Sequence, residues 1–98
     1  MGLTEEQTAF RRGRILRILA ESNNQGTGAP MIRTLVRSWG YKADTDTVAI
    51  DLAWLSRHGF ATVRPIGEGE FDIAKITQAG RDIVSGDLDV PGVKLLED

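Results

Sequence analysis

Cysteine is missing altogether, and His58 is the only histidine in 98 residues. A disulfide framework, a thiolate metal site and a cysteine nucleophile are thereby excluded, and one histidine alone makes no zinc pattern. Aromatic residues make up 6% of the chain and prolines number three. No apolar run approaches the roughly 18–20 residues of a membrane span, and no signal-peptide pattern opens the sequence, so a cytoplasmic location is expected. Internal repeats and low-complexity tracts are absent too. A large charge excess is also lacking: the net charge of −2 is not the footprint of a strong nucleic-acid binder. What is present is ordinary for one small domain with a modest core: 41% hydrophobic and 27% charged residues.

The charge is distributed unevenly. Residues 1–43 hold seven Lys/Arg against three acids, and residues 44–98 hold five against eleven. An anion-binding face would therefore be built mainly by the first part of the chain.

The stretch Asp44–Phe60, DTDTVAIDLAWLSRHGF, organises the rest. Asp44 or Thr45 can cap a helix by accepting from an unpaired backbone N–H. Val48, Leu52 and Leu55 follow at i, i+4 and i+7, one buried stripe. His58-Gly59 ends the helix, with His58 complementing its dipole. Ahead of it, Thr4-Glu5-Glu6-Gln7 reads as a capping box opening a first helix that runs to about Ser22. Ile15, Leu16, Ile18 and Leu19 form its core side, and Arg11, Arg12, Arg14 and Arg17 ring the others, either to meet phosphates or as a solvated face. Phe10, among those arginines, suits either a partner surface or packing against the C-terminal tail. Asn23–Gly28 is a turn cluster. Ala29-Pro30 opens a second helix, whose Ile32, Leu35, Val36 and Trp39 are expected in the core and whose Arg33 and Arg37 point outward. Gly40 stops it, and Tyr41-Lys42-Ala43 is a short turn into the central helix. Two helices joined in this way have helix-turn-helix geometry.

Phe60–Ile66 and Phe71–Thr77 read as a β-hairpin around Gly67-Glu68-Gly69-Glu70. Pro65 requires its strand to be an edge, or hydrogen bonding to end there. Thr77 caps a short last helix, Gln78–Ser85, ended by Gly86, with Ile83 and Val84 inward and Gly80 allowing close approach to the sheet. The fold class expected is α+β, mainly α: a winged helix-turn-helix over residues 1–86, with three helices, a hairpin wing and a short C-terminal helix, followed by an extended tail over 87–98. Apolar residues in that tail, Val90, Val93, Leu95 and Leu96, imply docking on its own domain or a neighbour.

In such a motif the outward side of the central helix reads the major groove. Here that side is Asp46, Ala49, Ile50, Ala53 and Arg57, with Thr47 and Trp54 flanking it and Asp51 adding negative charge. Base readers are typically Arg, Lys, Asn, Gln, Ser or Thr. An apolar strip of this kind instead suits a protein surface. The wing tip carries Glu68 and Glu70, where a phosphate-gripping tip would carry Lys or Arg. No catalytic constellation appears: the paired acids Asp44/Asp46 and Asp87/Asp89 stand at a helix start and in the tail, and Gly67-Glu68-Gly69 lacks the features of a phosphate loop. An enzyme is not expected, nor a cofactor or a metal.

Val48-x-x-x-Leu52-x-x-Leu55-x-x-x-Gly59-Phe60, the glycine-bearing hairpin and Ile76-Thr77-Gln78-Ala79-Gly80 resemble winged-helix regulators of the ArsR and MarR types over about residues 10–86. The Cys/His ligands that metal sensing in the ArsR type needs are absent, so that property is not implied. Asp51-Leu52-Ala53-Trp54-Leu55 and Asp89-Val90-Pro91-Gly92-Val93-Lys94 are similar to segments of small proteins of Mu-like phages and prophages, which implies a bacterial host. Two functions follow as expectations. One is a DNA-binding transcriptional regulator, as a homodimer, with Thr45, Thr47 and Arg57 reaching bases while Arg33, Arg37, Lys42 and Arg64 hold phosphates of double-stranded DNA. The other is a protein-interaction module in phage assembly or DNA packaging, contacting a phage protein through Ile50, Ala53, Trp54 and the tail. Fold alone does not choose between them.

Overall fold

The computed structural model describes residues 2–22, 25–67 and 71–95, with side chains from Glu5 onward. Helix α1 spans Gly2–Glu21, strand β1 Thr27–Gly28, helix α2 Ala29–Ser38 and helix α3 Thr45–Arg57. Strands β2, Ala61–Ile66, and β3, Phe71–Ile76, form the hairpin, and helix α4, Gln78–Ser85, follows. The fold is thus α+β and mainly helical, with a small antiparallel sheet in the order β1-β3-β2.

Local chemistry accounts for the element ends. The Asp44 carboxylate accepts from the Thr47 amide at 2.7 Å, and Thr77 Oγ1 accepts from the Gly80 amide at 3.1 Å, so each helix has one of its first free donors satisfied. Gly86 closes α4 in the left-handed region at φ 90°, where a side chain would be strained. Pro65 lies on β2, an edge strand of the sheet, where its missing N–H leaves no ladder partner bare.

The core gathers Ile15, Leu16 and Leu19 of α1, Ile32 and Val36 of α2, and Val48, Leu52 and Leu55 of α3 against Phe60, Ala74 and Ile83. Gly80 has the close approach expected of it: a Cβ there would run into the carbonyl oxygen of Phe60. The tail folds back on its own chain. Val93 is buried, the Lys94 amide donates to the Ala9 carbonyl at 3.0 Å, and Gly13 lies so close beneath the Lys94 carbonyl that a Cβ would collide with it. Phe10, half-buried, has the Lys94 ammonium 5.8 Å from its ring centroid.

Several expectations are corrected. The first helix starts before Thr4, which therefore lies inside it rather than at its cap. Thr27-Gly28, expected within a turn, pairs with Ala74 and Ile73 as a third strand; the backbone donors and acceptors of β3 are available there, and pairing outweighs the turn preference of isolated residues. Trp39 is 56% exposed rather than in the core. Trp39 closes α2, its N–H donating to the Val36 carbonyl at 3.1 Å, and its ring lies at the surface with the Arg14 guanidinium over it. Asp51, expected as an outward negative charge, is fully buried. Asn23, Asn24, the hairpin tip Glu68–Glu70 and Leu96 lie outside the described residues.

Candidate functional site

The N-terminal end of α3 is where the basic residues of α2 and the following turn converge. Arg33 approaches from one side, its Nη1 3.5 Å from Thr45 Oγ1. On the other side Arg37, Lys42, Asp44 and Thr47 line one shallow groove together with Tyr41 and Arg11. Thr45, Arg37 and Lys42 are exposed, while Arg33 and Thr47 are half-buried. Five of the residues expected to meet DNA are therefore brought together. Arg57 is not among them: it stands exposed in the last turn of α3, roughly 18 Å along the helix from Thr45 at about 1.5 Å per residue. Arg64 is exposed on β2, opposite Ile73.

The electrostatics of this end are mixed. The α3 amides present partial positive charge, to which Arg33, Arg37 and Lys42 add, while Asp44 and Asp46 oppose. The Thr47 amide, donating to the Asp44 carboxylate, holds that carboxyl below its ordinary value, with the nearby Arg33 acting in the same direction. One carboxylate is thus already committed to the helix it caps.

Further along α3, Asp46, Ala49, Ile50, Ala53 and Arg57 are exposed as a continuous face. Ile50, at 64% exposure, is the most exposed large apolar residue among those described. Trp54, expected beside it on a partner surface, is engaged inside the chain. The Arg12 guanidinium lies 4.1 Å over its ring, the His58 ring stacks at 3.9 Å, and Gly92 of the tail packs against its edge.

Behind this face lies the arrangement that sequence reasoning missed. Asp51 accepts from Arg11 Nε and, at 3.0 Å, from Arg11 Nη2, and Arg12 Nε stands 3.7 Å from Oδ1, the oxygen that Arg11 Nη2 also reaches. Arg12 in turn donates from Nη1 to the Gly92 carbonyl at 3.1 Å. Burial lowers the Arg12 guanidinium from its ordinary value, and Asp51 works against that shift. Arg11 and Arg12 are therefore fixed by an internal carboxylate instead of ringing an open helix face. The signal was in the spacing: Val48, Asp51, Leu52 and Leu55 stand at i, i+3, i+4 and i+7, so the buried stripe itself contains Asp51. A buried carboxylate needs a cationic partner, and only the tertiary packing showed which arginines supply it.

Among the described residues no group of three or more His, Cys, Asp or Glu side chains is placed to hold a metal ion, and no helix is long and apolar enough to cross a membrane. Comparisons with models of protein families, with curated proteins and with solved structures find no match for this chain.

Proposed function

We propose that the chain is a non-enzymatic winged-helix domain that binds double-stranded DNA as a transcriptional regulator, of the kind implied by its resemblance to small proteins of Mu-like prophages. In this reading α2 and α3 are the helix-turn-helix, β2 and β3 the wing, and the N-terminal half of α3 enters the major groove. The supporting observation is the convergence of Arg33, Arg37 and Lys42 on the end of α3 that carries Thr45 and Thr47. Arginine and lysine at that end reach phosphates on both sides of a groove while the threonines face base edges.

Two features that weighed against DNA have altered weight. Asp51 is neutralised in the interior and places no charge on the outward face. Trp54 and the tail occupy each other, which shortens the apolar strip to Ala49, Ile50 and Ala53. The interaction-module reading keeps one specific observation, the exposure of Ile50 at 64%.

Fluorescence anisotropy of a labelled random-sequence duplex tests the reading. Three phosphate contacts give a logarithmic salt slope of about −2.7, hence roughly a 40-fold weakening between about 50 and 200 mM salt. Arg33→Glu with Lys42→Glu should abolish binding. Absence of binding by the unmodified chain at high micromolar concentration in low salt overturns the proposal, and retention of partner capture that Ile50→Asp destroys favours the module.

A further inference from the structure

A second apolar surface lies on α2. Met31, Leu35 and Trp39 follow at i, i+4 and i+8, beside the buried Ile32 and Val36. Met31 and Trp39 are 55% and 56% exposed; Leu35 is half-buried, and Ile18 of α1 lies in the same groove. The two ends of the groove carry opposite charge. At the Trp39 end, the Arg14 guanidinium stacks 3.7 Å over the indole ring. At the Met31 end, where α1 runs out toward β1, stands the exposed carboxylate of Glu21. Arg17, between them on α1, is half-buried and already engaged within its own chain.

We infer that this face is where a second copy of the chain docks, about a two-fold axis passing near Leu35. An isologous contact requires a patch complementary to itself, and this one meets the condition in both apolar order and charge. Antiparallel packing of α2 on α2 sets Met31 against Trp39 of the second copy, a thioether on the free side of an indole, and places Leu35 against its own equivalent. The same rotation carries Arg14 to Glu21 of the second copy, twice per dimer. No other pairing of the ends satisfies both charges. The patch centres on three apolar side chains, against roughly 20–30 residues a side in a standard interface, so the dimer is weak, reversible and sensitive to salt. The inference is independent of DNA binding, which uses Arg33 and Arg37 on the other side of α2 and the N-terminal end of α3.

Sedimentation equilibrium of the full chain, from low to high micromolar concentration at low salt, tests it, with circular dichroism confirming that each variant is folded. The unmodified chain should associate to dimers and no further. Arg14→Glu alone and Glu21→Arg alone should each weaken association about tenfold, because each sets like charges opposite one another in both contacts. An equimolar mixture of the two variants should recover it, since every contact in the mixed dimer then pairs opposite charges. Met31→Glu, at an exposed position where misfolding is not expected, should weaken association without rescue by either. A chain that stays monomeric throughout overturns the inference, as does a mixture no more associated than its components, or a dimer indifferent to Met31→Glu.

Discussion

Helix α1 presents two arginines, Arg12 and Arg14, each lying over a tryptophan: Arg12 at 4.1 Å from Trp54 and Arg14 at 3.7 Å from Trp39. The chemistry of the two pairs is the same and their fates differ. Around Trp54 the pair is one part of a junction. Asp51 stands beneath Arg12, Gly92 covers the ring edge, and His58 stacks on the ring. Around Trp39 neither a carboxylate nor a returning segment is added among the described residues, and more than half of the residue stays exposed. Stacking a cation on an indole contributes only about 0.5–1 kcal/mol where water has access. What makes the first pair structural is the buried carboxylate one turn before Trp54 and the tail returning from the far end of the chain; what leaves the second available for association is their absence.

The largest effect in breaking this contrast is expected from Asp51→Ala. Removing the anion leaves Arg11 and Arg12 facing an apolar interior, and urea denaturation should register a loss of about 3–5 kcal/mol. Stability recovered on replacing Arg11 by Met as well would locate the cost in the uncompensated cation. Next comes Gly13→Val, whose side chain occupies the space of the Lys94 carbonyl. The tail must leave, and a loss of about 1–3 kcal/mol should accompany faster proteolysis after Gly86 and a shift in tryptophan emission.

The two tryptophans can be compared directly. Trp54→Ala should cost about 2–3 kcal/mol, short of the roughly 3–5 for a fully buried ring, whereas Trp39→Ala should cost under about 1 kcal/mol in the monomer and act mainly on self-association. Equal costs would show that the tail adds nothing to the Trp54 pair.

The smallest effect involves Asp44, an exposed carboxylate belonging to neither pair, which serves as a reference for Asp51. Its folded pKa lies below the unfolded one because of the Thr47 amide, so the ionised form favours folding. Its contribution is present above the unfolded value of about 4 and disappears as pH falls through the folded value. In Asp44→Asn the stability lost on acidification should be slightly smaller than in the unmodified chain, seen as a smaller fall in the urea midpoint from about pH 5 to about pH 2. An unchanged acid dependence would mean that the cap bond does not survive in solution.

Much of the scaffold was legible in the residues because it depends on neighbours in sequence. The apolar stripe Val48-Leu52-Leu55, the caps Asp44 and Thr77, the stop at Gly86 and the edge position of Pro65 all follow from hydrogen bonding and side-chain direction within a few residues. The α2–turn–α3 convergence of Arg33, Arg37 and Lys42 was legible for the same reason, since one short turn fixes it. What the tertiary structure alone decided are contacts made across long separations. Asp51 meets Arg11 and Arg12 from the start of the chain, Arg11 forty residues earlier, the tail crosses α1 at Gly13, and Thr27-Gly28 becomes a strand only because β3 offers it a ladder. Trp39 follows the same logic in reverse: its i+7 spacing from Ile32 points to the core, yet the packing of α1 leaves it 56% exposed with Arg14 over its ring. Periodicity tells a residue which side of its helix it occupies; whether that side holds a cation, a tail or water is settled by what the rest of the chain brings there, and no local rule contains it.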